Sequence, residues 1–152
     1  LGRIIIGIWR SSARAQNAEL ETQAQAARLD GRVFLPGRAG NVGDWYERAD
    51  LYVMSSLEGF HNTLAEAMAM AHGLPAVSFD CDIFLRDMIR PEVDRLPVPP
   101  GNVDALTAAL DRLVGDAALR AQFAARAVEA RARFSKERIA GMWEELFAEV
   151  RL

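Results

Sequence analysis

Along the chain, short apolar runs alternate with stretches in which apolar residues recur every three or four positions, the pattern of strands separated by helices. Arg3-Ile4-Ile5-Ile6-Gly7-Ile8 is a continuous apolar run of the buried parallel-strand type, and Ala13 to Leu29 reads as a helix with Leu20, Ala24, Ala27 and Leu29 toward the core. Asp30-Gly31 ends that helix, and Val33-Phe34-Leu35 reads as a second short strand closed by Pro36-Gly37. Val42 to Arg48 is a short helix leading into an apolar strand at Leu51 to Met54. A polar turn, a helix from about Asn62 to Ala71, a Gly73-Leu74-Pro75 stop and a further apolar strand at Ala76 to Phe79 follow.

Two short strands joined by a helical crossover cannot form a hairpin, so they are expected to lie parallel in a sheet covered on both faces. Beyond them come a helix from about Ile83 to Arg90, and a short edge strand with a turn in Leu96-Pro97-Val98-Pro99-Pro100-Gly101. Asn102 caps a helix whose buried stripe is Ala105, Leu106, Ala109, Leu110, Leu113 and Val114. Gly115-Asp116 opens another running to about Phe134, and Ser135 caps the last, in which Ile139, Trp143, Leu146, Phe147 and Val150 share a face. The fold class is therefore α/β, a Rossmann-like parallel sheet flanked by helices with a helical C-terminal segment.

In such a sheet ligands bind where the strands end, at their carboxyl edge. Ser55, Ser56, Glu58, Gly59, His61 and Asn62 fall there, in the loop that opens the crossover helix, whose free N–H groups and positive dipole end suit a phosphate. Glu66 lies about one turn further on, so that both glutamates can face one cleft.

These residues carry a resemblance. Glu58-Gly59-Phe60-His61-Asn62-Thr63-Leu64-Ala65-Glu66 resembles the E-x7-E signature of retaining glycosyltransferases with the GT-B fold, the fourth glycosyltransferase family in particular. Ala49-Asp50-Leu51-Tyr52-Val53 before it, Gly73-Leu74-Pro75-Ala76-Val77 after it, Val98-Pro99-Pro100-Gly101-Asn102 and Ala105-Leu106 extend the resemblance, in order, over most of the chain. It implies the C-terminal, donor-nucleotide domain of such an enzyme, residues 1–152 forming one domain and the N-terminal acceptor domain lying outside this chain.

The resemblance also implies roles. Glu66 matches the glutamate that accepts hydrogen bonds from the ribose hydroxyls, as a carboxylate can from a vicinal diol; its plainer role is a helix-end glutamate held by the dipole. Glu58 matches the catalytic glutamate that approaches and orients the donor sugar; otherwise it is a solvated turn residue. Gly59 and Phe60 match positions whose backbone lies against sugar and diphosphate, and Asn62, Thr63 and Leu64 match the segment whose N–H groups meet the phosphates, although Asn62 or Thr63 also suits a plain helix cap. Of the cations Arg10, Arg14, Arg38 and Arg86, the last fits the diphosphate pattern best. The implied donor is a nucleotide sugar, UDP-linked, and the implied reaction is its transfer to an acceptor hydroxyl with retention. No cofactor and no metal are implied.

Asp80-Cys81-Asp82 has the D-x-D form that binds a divalent ion in the other large glycosyltransferase fold, but its surroundings match the GT-B pattern. Cys81 reads as a small packed hydrophobe, His72 as a residue at a helix end, and Trp9, Trp45 and Trp143 as core or interface residues rather than base platforms. Several loops depart from the resembling pattern: Gly7-Ile8-Trp9-Arg10 replaces G-x-G-P, Phe84-Leu85 precedes Arg86 in place of Gly-Pro, and Arg95 stands where Val-Asp-Gly has its glycine.

Composition narrows the field. With 152 residues, 51% hydrophobic, 26% charged and a net charge of −3, the chain is of ordinary globular type and lacks the basic surface of a nucleic-acid binder. One cysteine leaves no internal disulfide and suits a reducing compartment. No long apolar run spans a membrane, and the expected setting is cytoplasmic, at the inner face of the membrane in a complete enzyme of bacterial glycan assembly. The isolated chain is expected to be inactive in transfer. The alternatives are a non-catalytic folded module, and sugar-nucleotide epimerisation, for which the cleft offers too few acids and histidines. Uncovered apolar residues on the last helix, Trp143, Phe147 and Val150, are expected to favour self-association.

Overall fold

A computed structural model describes residues 4–7, 13–29, 31–35, 40–57, 66–68, 73–81 and 90–150. Four strands, β1 (Ile4–Gly7), β2 (Leu51–Met54), β3 (Ala76–Phe79) and β4 (Arg95–Val98), form one sheet in the order β1-β2-β3-β4. Every pairing is parallel, with Ile4 opposite Leu51, Tyr52 opposite Ala76 and Ala76 opposite Arg95. The helices are α1 (Ala13–Ala26), α2 (Val42–Arg48), α3 (Val103–Gly115), α4 (Ala117–Ala127), α5 (Ala130–Arg133) and α6 (Lys136–Val150), and residues 66–68 are also helical.

Alternation along the strands divides the core in two. Leu51, Val53, Val77, Phe79, Leu96 and Val98 point to one face and pack with Leu113 of α3 and Phe123 of α4. Tyr52, Met54 and Ala76 point to the other and pack with Tyr46 of α2, Ala67, Met68, Leu74, Ala127 and Ala130. Continuously apolar strands follow from this double burial, since each successive side chain enters one core or the other. Short polar side chains cap the helices: the carboxamide of Asn41 accepts from Gly43 N at 3.2 Å, that of Asn102 from Ala105 N at 2.9 Å, the carboxylate of Asp116 from Leu119 N at 2.9 Å, and Ser135 Oγ from Arg138 N at 3.2 Å.

Four expectations are corrected. Val33-Phe34-Leu35 is not a strand: the Arg32 and Val33 N–H groups both turn back to Leu29 O, and Phe34 is 76% exposed. Helix α1 stops at Ala26, with Arg28 at a φ of 55° and Ala27 exposed. The helix expected to reach Phe134 breaks into α4 and α5, because i→i+3 bonds such as Arg131 N to Val128 O at 3.2 Å and Ala132 N to Glu129 O at 3.1 Å tighten the chain between them. Val114 leaves the buried stripe and is 39% exposed.

A cluster of charges ties the entry of β4 to the α4–α5 corner. Asp94 is fully buried and accepts from Arg90 N at 3.0 Å and Arg90 Nε at 2.9 Å. The same guanidinium donates to Glu129 at 2.8 Å and to Arg126 O at 3.1 Å. Arg133 Nη1 stands 3.7 Å from the same carboxylate, and paired and hydrogen-bonded in this way a buried carboxylate is tolerated.

Gly73, just before β3, adopts a φ of +65°, and a Cβ there would press into Ala124 O and lie 3.1 Å from Val128 N. Only glycine lets this turn and the end of α4 meet. The Gly73→Ala variant is expected to lose about 2–4 kcal/mol, from left-handed strain plus overpacking. Gly141→Ala, with nothing within 4 Å of its Cβ in helix α6, is expected to be neutral or to gain about 0.5–1 kcal/mol. Urea unfolding of both variants checks the contrast.

The carboxyl edge of the sheet as candidate functional site

Because all four strands run the same way, Gly7, Met54, Phe79 and Val98 end at one edge. The segments leaving that edge are braced against each other. Asp80 N donates to Val98 O at 2.8 Å, joining the exits of β3 and β4, and Cys81 Sγ donates to Ser56 O at 3.2 Å, joining those of β3 and β2. Cys81 is half-buried and also packs on the core, in keeping with the small-hydrophobe reading.

Glu66 belongs to the helical turn at residues 66–68, where Ala67 and Met68 are locked into the core while Glu66 itself is exposed. The burial of its two neighbours holds the carboxylate outward on a fixed backbone. Beneath it lies Tyr46, 4% exposed, its ring edge-on to Tyr52 with centroids 5.9 Å apart. Burial first, and then the proximity of Tyr52 and the Glu66 carboxylate, push the Tyr46 hydroxyl far above the ordinary tyrosine range. Sequence reasoning missed Tyr46 as a neighbour of Glu66, since the two are brought together only by packing of their helices over one face of the sheet.

Sequence reasoning also gave Arg95 no part in the site. Arg95 is fully buried, and its Nη1 donates to Ser78 Oγ and its Nη2 to Asp80 Oδ1 at 3.3 Å. Burial pulls its pKa down while Asp80 and Asp94 oppose that shift. The only hint in the sequence was an arginine in place of a glycine at the head of an apolar edge strand.

Glu58, Gly59, Phe60, His61, Asn62, Thr63, Leu64, Asp82 and Arg86 lie outside the described residues, as do His72, Trp9, Arg10, Arg38 and most of the expected helices at 62–71 and 83–90. Among the described residues no group of acids, histidines and cysteines is placed to hold a metal, and no helix is long and apolar enough to cross a membrane. Trp45 and Trp143 are 44% and 54% exposed, so neither is a core residue.

Residues 4–116 match the family model described as Glycosyl transferases group 1. The chain belongs to this family. An exopolysaccharide phosphotransferase of Streptomyces coelicolor is 35% identical over 135 residues, 89% of this chain and 14% of that protein. The crystal structure of the C-terminal domain of a group 1 glycosyl transferase, LpcC of Francisella tularensis, superposes with a TM-score of 0.73 at 23% identity over 88% of this chain and 69% of that one. TarM of S. aureus, in a complex with fondaparinux, alpha-GlcNAc-glycerol and UDP, superposes with a TM-score of 0.77 at 25% identity over 95% of this chain and 28% of that one. The group 1 chain thus has the fold of the C-terminal half of a GT-B transferase, and spans less than a third of the length of the curated relatives it matches.

The Tyr46 shift has a consequence for stability. An unfolded tyrosine ionises near the ordinary value of 10.0, whereas the folded one resists ionisation, so the stabilising difference is complete below that pH and is lost as pH rises above it. Stability of the group 1 chain should therefore fall above about pH 10 by up to about 1.4 kcal/mol per pH unit for this proton. The Tyr46→Phe variant should show a shallower fall in alkaline chemical unfolding.

Proposed function

We propose that this chain is the donor-nucleotide domain of a retaining GT-B glycosyltransferase, taking a nucleotide sugar, UDP-linked, at the carboxyl edge of its sheet. The observation that carries the reading is the exposed Glu66 carboxylate, held outward by buried Ala67 and Met68 on the crossover helix of a four-stranded parallel sheet. Support comes from the family match and from the UDP present in the TarM complex. Glu66 takes the ribose hydroxyls. Glu58 orients the donor sugar, Gly59 and Phe60 lie against sugar and diphosphate, and Asn62, Thr63, Leu64 and Arg86 meet the phosphates.

Residues 1–152 act as one domain, and acceptor groups come from a second half that completes the cleft. Without that half the chain binds donor but does not transfer sugar. In the complete enzyme the reaction moves the sugar to an acceptor hydroxyl with retention, on the cytoplasmic side of the membrane. A second reading, a folded assembly module, draws on α6: none of its residues is buried, and Met142, Trp143, Phe147 and Val150 are all more than half exposed. Self-association through this face would appear in sedimentation velocity as a concentration-dependent dimer, and a monomer at high concentration would contradict it.

Calorimetric titration with UDP, ADP and GDP tests the donor reading. The chain should bind UDP selectively, and Glu66→Ala should weaken binding at least tenfold, the scale of about 1.5–3 kcal/mol for a hydrogen bond to a charged group. A folded chain that gives no heat with any nucleotide would sink the proposal.

A further inference from the structure

Arg95 opens β4 opposite Ala76, but its side chain reaches further along the sheet. On the face shared by Ala76 and Ser78 it runs toward the carboxyl end of β3, where Nη1 donates to Ser78 Oγ and Nη2 to Asp80 Oδ1 at 3.3 Å. The Arg95 side chain is wholly buried, while that of Asp80 is 26% exposed. Arg95 Nε has no hydrogen-bond partner among the described residues. A buried guanidinium is costly to the fold, and an apolar side chain of similar length would pack the same gap at less cost. The pair is therefore poorly explained by stability alone.

Its position explains it better. Asp80 stands at the lip of the carboxyl edge, anchored by its own N–H to Val98 O at 2.8 Å. A bare carboxylate there would repel any diphosphate brought to the edge, because charges within a Debye length of about 8 Å are only partly screened at physiological salt. Arg95 cancels that charge from below and fixes the carboxylate against β4.

Resting on the nucleotide reading above, we propose that Arg95 is a positioning residue of the nucleotide site: it neutralises Asp80 from inside the sheet, so that the carboxyl edge accepts a nucleoside diphosphate. The role is electrostatic, so it acts on the phosphates of the ligand and not on its nucleoside. Arg95 itself touches no ligand. It works through Asp80.

The test titrates the chain with UDP and with uridine by ligand-observed NMR, using the wild type, Arg95→Met, Arg95→Lys, Asp80→Asn and the double variant Arg95→Met with Asp80→Asn, each shown folded by circular dichroism. Arg95→Met should weaken UDP about tenfold, of the order expected for removing one unit of positive charge from beneath a bound anion, and leave uridine within about twofold. Arg95→Lys should hold UDP within about threefold, and the double variant should recover most of the loss. Should Arg95→Met fail to fold, Asp80→Asn decides: UDP binding as tight as wild type or tighter upholds the role, and weaker binding overturns it. Equal weakening of UDP and uridine in Arg95→Met, no weakening at all, or a folded double variant that recovers nothing would each overturn it. A wild type that binds UDP no better than uridine would instead bring down the nucleotide reading beneath it.

Discussion

Parallel pairing is the constraint on which the rest of this molecule depends. With β1 to β4 all running one way, every strand begins at one edge and ends at the other, and each connection must travel back across a face of the sheet. Helices cover both faces, α2 and the turn at residues 66–68 with Ala127 and Ala130 on one and Leu113 of α3 with Phe123 of α4 on the other, which is why the strands are apolar at almost every position and why two cores exist instead of one. The same geometry gathers at one edge all the loops that leave the strands. Chemistry in this architecture has one natural place, and the exposed carboxylate of Glu66 and the lip formed by Ser56, Asp80 and Cys81 belong to elements that converge on it.

The adjacent residues Asp94 and Arg95 show how the edges are held apart in role. Both are buried, they carry opposite charge, and each is paired away from the other. Asp94 is bound by Arg90, which also grips Glu129 and Arg126 O and so fixes the entry of β4 to the α4–α5 corner. Arg95 reaches the other way, to Ser78 and Asp80 at the exit of β3. One dipeptide thus anchors the edge strand where it enters the sheet and braces the edge where ligand is proposed to sit. Gly73 contributes to the first of these anchors, since its positive φ lets the turn before β3 meet the end of α4.

Much of this was legible in the residues because it is local. The apolar runs at Leu51 to Met54 and Ala76 to Phe79 are strands with those bounds, α2 spans Val42–Arg48, and Asn102 and Ser135 cap the helices that follow them. Val33-Phe34-Leu35 misled because β-branched and aromatic composition expresses a tolerance for pairing, while the Arg32 and Val33 amides are already spent on Leu29 O. The break between α4 and α5 was hidden for a different reason: no glycine or proline marks it, and the contacts there, Gly73 against Ala124 and Arg90 on Arg126 O, come from segments far away in the chain. Of the candidate site, the motif singled out Glu66, which lies in the helical turn at residues 66–68. Tyr46 beneath it, packed from α2 over the same face of the sheet, and Arg95 behind Asp80, reaching across to the exit of β3, depend on tertiary contacts that no local pattern encodes.

Hydrogen–deuterium exchange of the chain with and without UDP tests most directly the claim that the carboxyl edge of the sheet is the nucleotide site. Protection confined to peptides covering Ser55 to Glu66 and Asp80 to Arg86, with α6 and the Arg90–Asp94 entry of β4 unchanged, is the result this account predicts. Protection centred on α6 or on the opposite edge of the sheet, with those peptides unaffected, would contradict it.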